Sequence, residues 1–239
     1  MTDTPRRSEQ IVRMFGAIAE HYDLMNRVMT LGQDQRWRRQ AVSAAQVGPG
    51  SRALDVATGT GDLAFQLAET VGAGGEVVGV DVVPEMLSLA RRKAGSEGIN
   101  NVTFQLADAL RVPFPDRSFD AVTCGFGVRN FDDYLEALRE MARVVKPGGR
   151  VVILEMTPPR NELARAYMHH VVPVIGQILA HARDAYTYLP DSAEAFPQPE
   201  EFGRLMQESG LRKVTYRLLN FGTVALHWGT RAESSGIPR

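Results

Sequence analysis

Hydrophobic residues are spaced differently on the two sides of residue 50. Over residues 11–45 they recur every three or four positions, which predicts a helical segment broken near Leu31-Gly32. Beyond the Gly48-Pro49-Gly50 turn, short apolar runs alternate with stretches of helical spacing. The runs predict five strands, at residues 52–57, 76–81, 102–108, 119–124 and 150–155, and the stretches between them predict helices at 62–70, 84–94 and 132–145. This alternation is typical of a parallel sheet covered by helices on both faces.

The last third of the chain departs from this alternation. Residues 162–182 and 199–209 predict two helices, and residues 211–217 and 223–228 predict two adjacent strands, paired as a hairpin at one end of the sheet. We interpret residues 160–198 as an inserted helical lid and residues 11–45 as an N-terminal helical cap. The expected fold is α/β, a single domain over residues 1–239 with a doubly wound, mostly parallel seven-stranded sheet.

Composition and charge narrow the class of protein. The 239 residues include 27 Lys and Arg against 28 Asp and Glu, a net charge of −1 that supplies no general attraction for nucleic acid. A single cysteine, Cys124, excludes an internal disulfide framework and a cysteine zinc cluster, and it fits a reducing compartment. The chain shows no signal peptide and no apolar run of about 20 residues, so we expect a cytoplasmic protein. No histidine pair has metal-ligand spacing, and we expect no metal.

The strongest local signal is the glycine turn at residues 54–62. It follows a predicted strand and opens a helix, where Gly59 and Gly61 let the backbone pass close under a ligand. A dinucleotide would place its pyrophosphate at this helix start, but Asp62 and Asp55 put negative charge there. The two carboxylates favour a cationic ligand such as S-adenosylmethionine, which has no phosphate. Asp62 also suits a helix start for its own sake, and the two roles are compatible.

Acidic residues at the ends of the next strands indicate an adenosine ligand. Asp81 ends the second strand, where a carboxylate can accept hydrogen bonds from both ribose hydroxyls. Asp108-Ala109 ends the third, where an adenine edge would lie. Each acid alone could equally be an exposed strand-end residue. Three acids at one edge of the sheet make the assignment much stronger than any one of them.

Longer segments carry a resemblance that spans nearly the whole chain. The glycine turn is shared by many methyltransferases, whereas Tyr22-Asp-Leu-Met-Asn26 and Phe126-Gly-Val-Arg-Asn130 are more specific. The chain resembles the S-adenosylmethionine-dependent methyltransferases with a seven-strand, Rossmann-like class I sheet. More closely, it resembles the ubiquinone/menaquinone biosynthesis C-methyltransferase family. The matching segments are residues 14–26, 31–39, 54–63, 113–120, 125–130, 146–149 and 186–192.

The resemblance implies C-methylation of a prenylated quinol. It makes Thr58, Asp81, Asp108 and Ala109 contacts to the S-adenosylmethionine cofactor. The family often has serine where Gly125 stands, which puts one side-chain contact in doubt. The acceptor ring is left open: we favour a naphthoquinol, demethylmenaquinol converted to menaquinol, over the corresponding benzoquinol of ubiquinone biosynthesis. Chain length, with no extended N-terminus, is the reason for this preference.

Arg129 and Asn130 are the candidate catalytic residues. Ionising the quinol hydroxyl makes the neighbouring ring carbon nucleophilic, and a guanidinium at Arg129 could stabilise the quinolate while Asn130 orients the hydroxyl. Arginine is too basic to act as the base, so water or a carboxylate would take the proton. The alternative is a structural loop pair, with Arg129 bridged to Asp132 or Asp133.

Other candidates lie in the cap and the lid. Tyr22, one helical turn from Asn26, either faces the sulfonium or belongs to the core of an amphipathic helix. One of His169 and His170 could be a base, although surface positions suit both better. Residues 166–182 contain no Asp, Glu, Lys or Arg, which fits a lid over an isoprenoid tail, a peripheral membrane contact, or a helix in a core or homodimer.

Three other classes of function fit the sequence less well than C-methylation. Asp62 argues against a nicotinamide-dependent oxidoreductase. Balanced charge and the lack of an Asn-Pro-Pro-Tyr-type segment argue against a nucleic-acid methyltransferase. A non-catalytic cofactor-binding subunit of a quinone-synthesising complex would bind the cofactor and leave the quinol unchanged.

Overall fold

Two helices precede the sheet. The computed structural model describes residues 7–159, 162–166 and 183–233, and the helices are α1 (Arg7–Thr30) and α2 (Gln33–Ala45). They are separated where predicted, because Leu31 and Gly32 adopt positive φ angles of 50° and 73° that no helix can continue.

The centre of the molecule is a seven-stranded sheet in the order β3-β2-β1-β4-β5-β7-β6. Strands β1 to β5 are parallel, and β7 runs antiparallel to both β5 and β6. The predicted sheet and its terminal hairpin are therefore confirmed. The strands are β1 (Arg52–Val56), β2 (Glu76–Asp81), β3 (Val102–Leu106), β4 (Phe119–Gly125), β5 (Val145–Met156), β6 (Leu211–Leu219) and β7 (Val224–Arg231).

Helices cover both faces of the sheet, as the alternating pattern predicts. On one face Phe119 of β4 packs in a core with Leu138 and Phe202, and on the other Trp37 and Leu67 pack against β1 and β5. The central strands are buried on both faces, which is why they read as continuous apolar runs. The remaining helices are α3 (Asp62–Val71), α4 (Pro84–Glu97), α5 (Tyr134–Val144), α6 (Glu162–Ala166), α7 (Arg183–Glu194) and α8 (Pro199–Glu208).

The structure differs from the sequence-based expectation in two elements. Strand β5 begins at Val145, which pairs with Phe119, so the Lys146-Pro-Gly-Gly149 turn interrupts the ladder as a bulge instead of preceding it. A Cβ at Gly149 would clash with the Asp120 carbonyl, so only glycine fits there. Helix α7 was not predicted. Residues 167–182, with His169, His170 and most of the uncharged segment, lie outside the described residues.

No helix within the described ranges is both long enough and apolar enough to cross a bilayer.

Candidate active site

A cavity opens at the carboxyl ends of β1 to β4, where ligands bind in open parallel sheets. Its floor is formed by the turns after these strands, which contribute Gly59, Asp81, Asp108 and Gly125. Helix α1 roofs it with Ile11, Phe15 and Tyr22. The space is partly continuous with solvent, and apolar side chains make up much of its wall.

The glycine turn presents backbone to this cavity. Gly59 has a φ of 56°, and a Cβ there would meet only the Tyr22 ring, at 4.0 Å. Gly61 has a φ of 90°, and a Cβ there would clash with the Phe65 ring at 2.8 Å. Both positions therefore require glycine, for open approach at Gly59 and for packing at Gly61.

Asp81 lines the cavity with a carboxylate held by backbone donors. Its Oδ2 accepts from the N–H of Gly59 at 2.8 Å and its Oδ1 from the N–H of Val83 at 2.9 Å. Burial raises the pKa of Asp81 above its usual value, and the N–H groups of Val83, Gly59 and Val82 only partly offset this. A carboxylate has about four lone-pair sites, so Asp81 retains acceptor capacity for a ligand hydroxyl. Its contact to a ribose stays a prediction.

Asp108 and Ala109 also line the cavity, on the side expected for adenine. The Asp108 Oδ1 accepts from the N–H of Leu110 at 2.9 Å, which fixes the turn after β3. Both residues are thus brought together with Asp81, Gly59 and Tyr22. Their contacts to a cofactor stay predictions.

Asp55 and Thr58 lie behind the turn and not among the residues that line the cavity. The buried Asp55 carboxylate accepts from the hydroxyls of Thr58 at 2.7 Å and Thr123 at 2.6 Å. Burial raises the pKa of Asp55 to about 6, against the lowering effect of these hydroxyls. The arrangement ties the glycine turn to β4, so both residues support the turn from below.

Asp62 is paired within the protein. Its carboxylate contacts Lys93 Nζ at 2.5 Å and accepts from Gln35 Nε2 at 2.9 Å. Burial would raise the pKa of Asp62, but the ammonium of Lys93 outweighs it and the pKa lies below its usual value. Asp62 is not among the residues that line the cavity. The Asp62 carboxylate is therefore engaged by Lys93, an ammonium that it shares with Asp23, and does not face the cavity as the sequence suggested.

Arg129 is buried in the short 3₁₀ turn at Val128–Asn130. Its guanidinium contacts Glu155 of β5 at 2.6 Å and donates to the Phe126 carbonyl at 2.6 Å. Burial alone would lower the pKa of Arg129, but the Glu155 carboxylate raises it above its usual value. Asp133, a predicted alternative partner, caps α5 by accepting from the N–H of Glu136. Arg129 therefore fixes the turn that carries Asn130.

Asn130 does line the cavity. Its Oδ1 accepts from the Tyr188 hydroxyl of α7 at 2.9 Å. Since the carbonyl end of the amide is engaged, the Nδ2 donors are the end free to face a ligand.

Tyr22 belongs to an apolar cluster and also faces the cavity, while its contact with a sulfonium stays a prediction. It packs with Phe15 and Met25 in a small apolar cluster and also lines the cavity. Burial raises the pKa of Tyr22, while positive charge on Arg38 and a hydrogen bond with Asn26 lower it. Its ring therefore closes the cavity above Gly59.

Sequence reasoning did not identify Arg38, Glu155 or Tyr188. Glu155 and Tyr188 act through Arg129 and Asn130, which lie far away in the chain, and neither spacing nor local motif reveals such pairs. For Arg38 the signals available were the basic residues in 36–39 and the family resemblance of residues 31–39.

Comparison with known proteins identifies the family. Residues 3–231 match the model of the ubiE/COQ5 methyltransferase family. The chain belongs to this family. Demethylmenaquinone methyltransferase of Thermus thermophilus is 50% identical over 222 residues, 91% of this chain and 100% of the relative. The enzyme of that name from Deinococcus radiodurans is 48% identical over 233 residues, 96% and 95% of the two chains. The ubiquinone/menaquinone biosynthesis C-methyltransferase UbiE of Geobacter sulfurreducens is 44% identical over 94% and 90%.

Solved structures share the fold of this family member. A SAM dependent methyltransferase from Aquifex aeolicus superimposes with a TM-score of 0.61 at 22% identity, covering 81% of this chain and 88% of the other. The [4+2]-cyclase SpnF gives a TM-score of 0.69 at 15% identity over 95% and 97%. The predicted Rossmann-like class I fold and the prediction of an S-adenosylmethionine-dependent methyltransferase are confirmed.

Proposed function

We propose that this methyltransferase transfers a methyl group from S-adenosylmethionine to a ring carbon of demethylmenaquinol, giving menaquinol. The observation that carries the proposal is end-to-end identity of 48–50% with two proteins named demethylmenaquinone methyltransferase. The name of the Geobacter sulfurreducens relative includes ubiquinone, so methylation of the equivalent benzoquinol is the second candidate.

The cavity residues fit the cofactor. Asp81 has lone pairs free for the ribose hydroxyls, Asp108 and Ala109 flank the space for adenine, and Gly59 leaves its backbone open. When bound, S-adenosylmethionine supplies an electrophilic methyl group on a sulfonium. Tyr22 closes the space above the glycine turn and excludes water, which alignment for in-line transfer requires. The absence of a metal requirement stays a prediction.

Asn130 is proposed as the residue that touches the quinol. A neutral phenol has a pKa of about 10, by analogy with tyrosine, so the site must stabilise the ionised oxygen. The Nδ2 group of Asn130, oriented by Tyr188, would donate to that oxygen. Arg129, held by Glu155, positions Asn130 and adds positive charge next to the Tyr22 hydroxyl. The proton passes to water or a carboxylate.

We propose peripheral contact with a membrane surface, because the substrate of such an enzyme is a lipid. Leu31 and Phe221 are 85% and 97% exposed, the largest values among the exposed large apolar side chains of the described residues, and they offer apolar surface to a bilayer. A homodimer and the lack of a nucleic-acid partner stay predictions.

The function is tested by incubating the enzyme with labelled methyl donor and each demethylated quinol in reduced form. We expect carbon-bound label with a higher kcat/KM for demethylmenaquinol, and loss of turnover in Asp81→Ala through loss of cofactor binding. A higher kcat/KM for the benzoquinol would favour the second candidate. Label found only on oxygen contradicts carbon methylation, and cofactor binding without any turnover indicates the non-catalytic subunit.

A further inference from the structure

Arg38 of α2 is a buried cation with an unsatisfied hydrogen-bond donor. Its side chain is 7% exposed, and its Nε has no hydrogen-bond partner among the described residues. The ion pair that the structure shows for it, from Nε to Asp34 Oδ2, is 3.8 Å long and thus beyond hydrogen-bond range. Leaving a buried donor of a charged group unpaired is unfavourable. The hydrogen bonds that the described residues provide therefore leave the guanidinium able to bind an anionic ligand.

Asp34 does not fill that role. Its Oδ1 accepts from the Thr30 hydroxyl at 3.1 Å, and its Oδ2 accepts from Gln35 Nε2 at 3.1 Å. The Arg38 guanidinium also lies over the Phe126 ring, 5.4 Å from its centroid. This cation–π contact orients the guanidinium relative to the Phe126 ring and leaves its N–H groups available for hydrogen bonds.

The guanidinium lies directly behind two residues of the cavity wall. Arg38 does not itself line the cavity, but its Nη1 is 3.3 Å from the position that a Cβ would take at Gly125, and both Gly125 and Phe126 line the cavity. The charge of Arg38 lowers the pKa of Tyr22 in the roof and of Asp62 at the start of α3. Gly125 places no side chain between Nη1 and the cavity.

We propose that Arg38 binds the carboxylate of the methionine moiety of S-adenosylmethionine. With the ribose at Asp81 and the adenine at Asp108 and Ala109, the amino-acid tail extends toward the glycine turn and Gly125. The carboxylate is the one anionic group of this ligand, and the planar fork of arginine matches it. The inference rests on the identity of the methyl donor and deepens the proposed function.

The test compares two ligands that differ in this one group. S-adenosylmethionine and decarboxylated S-adenosylmethionine are titrated by calorimetry into wild type, Arg38→Gln and Arg38→Lys. For wild type we expect tighter binding of the carboxylated ligand. In Arg38→Gln its affinity falls by about 30-fold or more, the effect of truncating one partner of a buried charged pair. The affinity for the decarboxylated ligand stays nearly constant, and Arg38→Lys restores part of the preference.

Arg39→Gln is the matched control, because Arg39 is the exposed neighbour of Arg38 on the same helix. It should leave both affinities unchanged. Equal weakening of both ligands in Arg38→Gln assigns Arg38 a structural role and overturns the proposal. Equal affinity of the wild type for the two ligands would also overturn the proposal, and this comparison remains available even if Arg38→Gln fails to fold. No quinol is present, so failure to methylate demethylmenaquinol would leave this result standing.

Discussion

At the scale of single residues, two buried groups have pKa values displaced in opposite directions. Burial raises the pKa of Asp55 from 3.8 to about 6. Burial lowers the pKa of His227 from 6.5 to about 4, because the charged imidazole would be desolvated. His227 Nε2 lies 2.9 Å from the Pro199 carbonyl and must donate to it, and with a pKa of about 4 the ring is neutral at pH 7. Their contributions to stability therefore oppose each other in mildly acidic solution.

The sign of each contribution follows from linkage. Folded protein binds the Asp55 proton more tightly than unfolded protein, so its stabilisation is present below pH 3.8 and is lost as pH rises through about 6. Folded protein binds the His227 proton less tightly, so that stabilisation is present above pH 6.5 and is lost as pH falls through about 4. Each displacement corresponds to about 3 kcal/mol at most, at about 1.4 kcal/mol per pKa unit.

Urea unfolding of Asp55→Asn and His227→Gln across pH 4 to 7 tests both signs. Relative to Asp55→Asn, the free energy of unfolding of wild type should fall as pH rises. Relative to His227→Gln it should rise over the same interval. Profiles parallel to wild type for both variants would show that neither group is linked to folding.

At the scale of elements, one lysine connects three helices around the cavity. Lys93 of α4 contacts Asp62 of α3 at 2.5 Å and Asp23 of α1 at 2.9 Å. The Thr60 hydroxyl of the glycine turn donates to the same Asp23 at 2.5 Å. Helix α1 is thereby held over the glycine turn that places Gly59 in the cavity wall.

Replacing Lys93 with Met should loosen this roof, because Asp23 and Asp62 would be left without their shared cation. We expect a loss of about 1–3 kcal/mol in the free energy of unfolding, as for hydrogen bonds to charged groups, faster amide exchange in α1 and weaker cofactor binding. Arg92→Met is the control: its ion pair with Glu20 is largely exposed, and such pairs contribute about 0–1 kcal/mol. Unchanged exchange in α1 of Lys93→Met would contradict the role of Lys93.

Local pattern predicted most elements and few of their interactions. Strand β2 has the predicted bounds because its apolar run has a glutamate at one end and Asp81 at the other. Helix α7 escaped prediction because Pro190 lies inside it. In the sequence Asp62 is a charge at a helix start with no evident partner, because its partner Lys93 comes 31 residues later. Arg129 likewise contacts Glu155 only because β4 and β5 are adjacent in the sheet. Pairings set by the tertiary fold were therefore missed, including those that define the site.

At the scale of the whole molecule, the two most exposed large apolar side chains of the described residues, Leu31 and Phe221, lie at the edge of the sheet where the cavity opens. Phe221 lies in the turn before β7, whose Val224 pairs with Met156 at the carboxyl end of β5. Leu31 precedes α2, whose Trp37 contacts Phe126 beyond β4. The opposite end of α2 is bonded through the Ala44 carbonyl to Arg150, nearer the start of β5, so α2 begins at the carboxyl edge. The side chains of Leu31 and Phe221, called the apolar tips below, therefore both lie at the edge of the sheet where the cavity opens.

Positive charge near Leu31 favours an anionic bilayer as the membrane that we propose the apolar tips contact. Arg27, Arg36 and Arg39 are exposed, whereas Asp34, the one acid in residues 24–39, is buried. Basic residues near an anionic membrane contribute about 1 kcal/mol each. We expect the wild type to co-sediment with vesicles containing phosphatidylglycerol and to be released by salt.

Leu31→Ser/Phe221→Ser should reduce vesicle binding by roughly tenfold or more, since complete burial of such a side chain contributes about 1.5–3 kcal/mol. Stability should be unaffected, because both side chains are solvated in the folded protein. Equal binding of the double variant would exclude these tips as the contact. A dimer that dissociates in the double variant would assign them to contact between two copies of the chain.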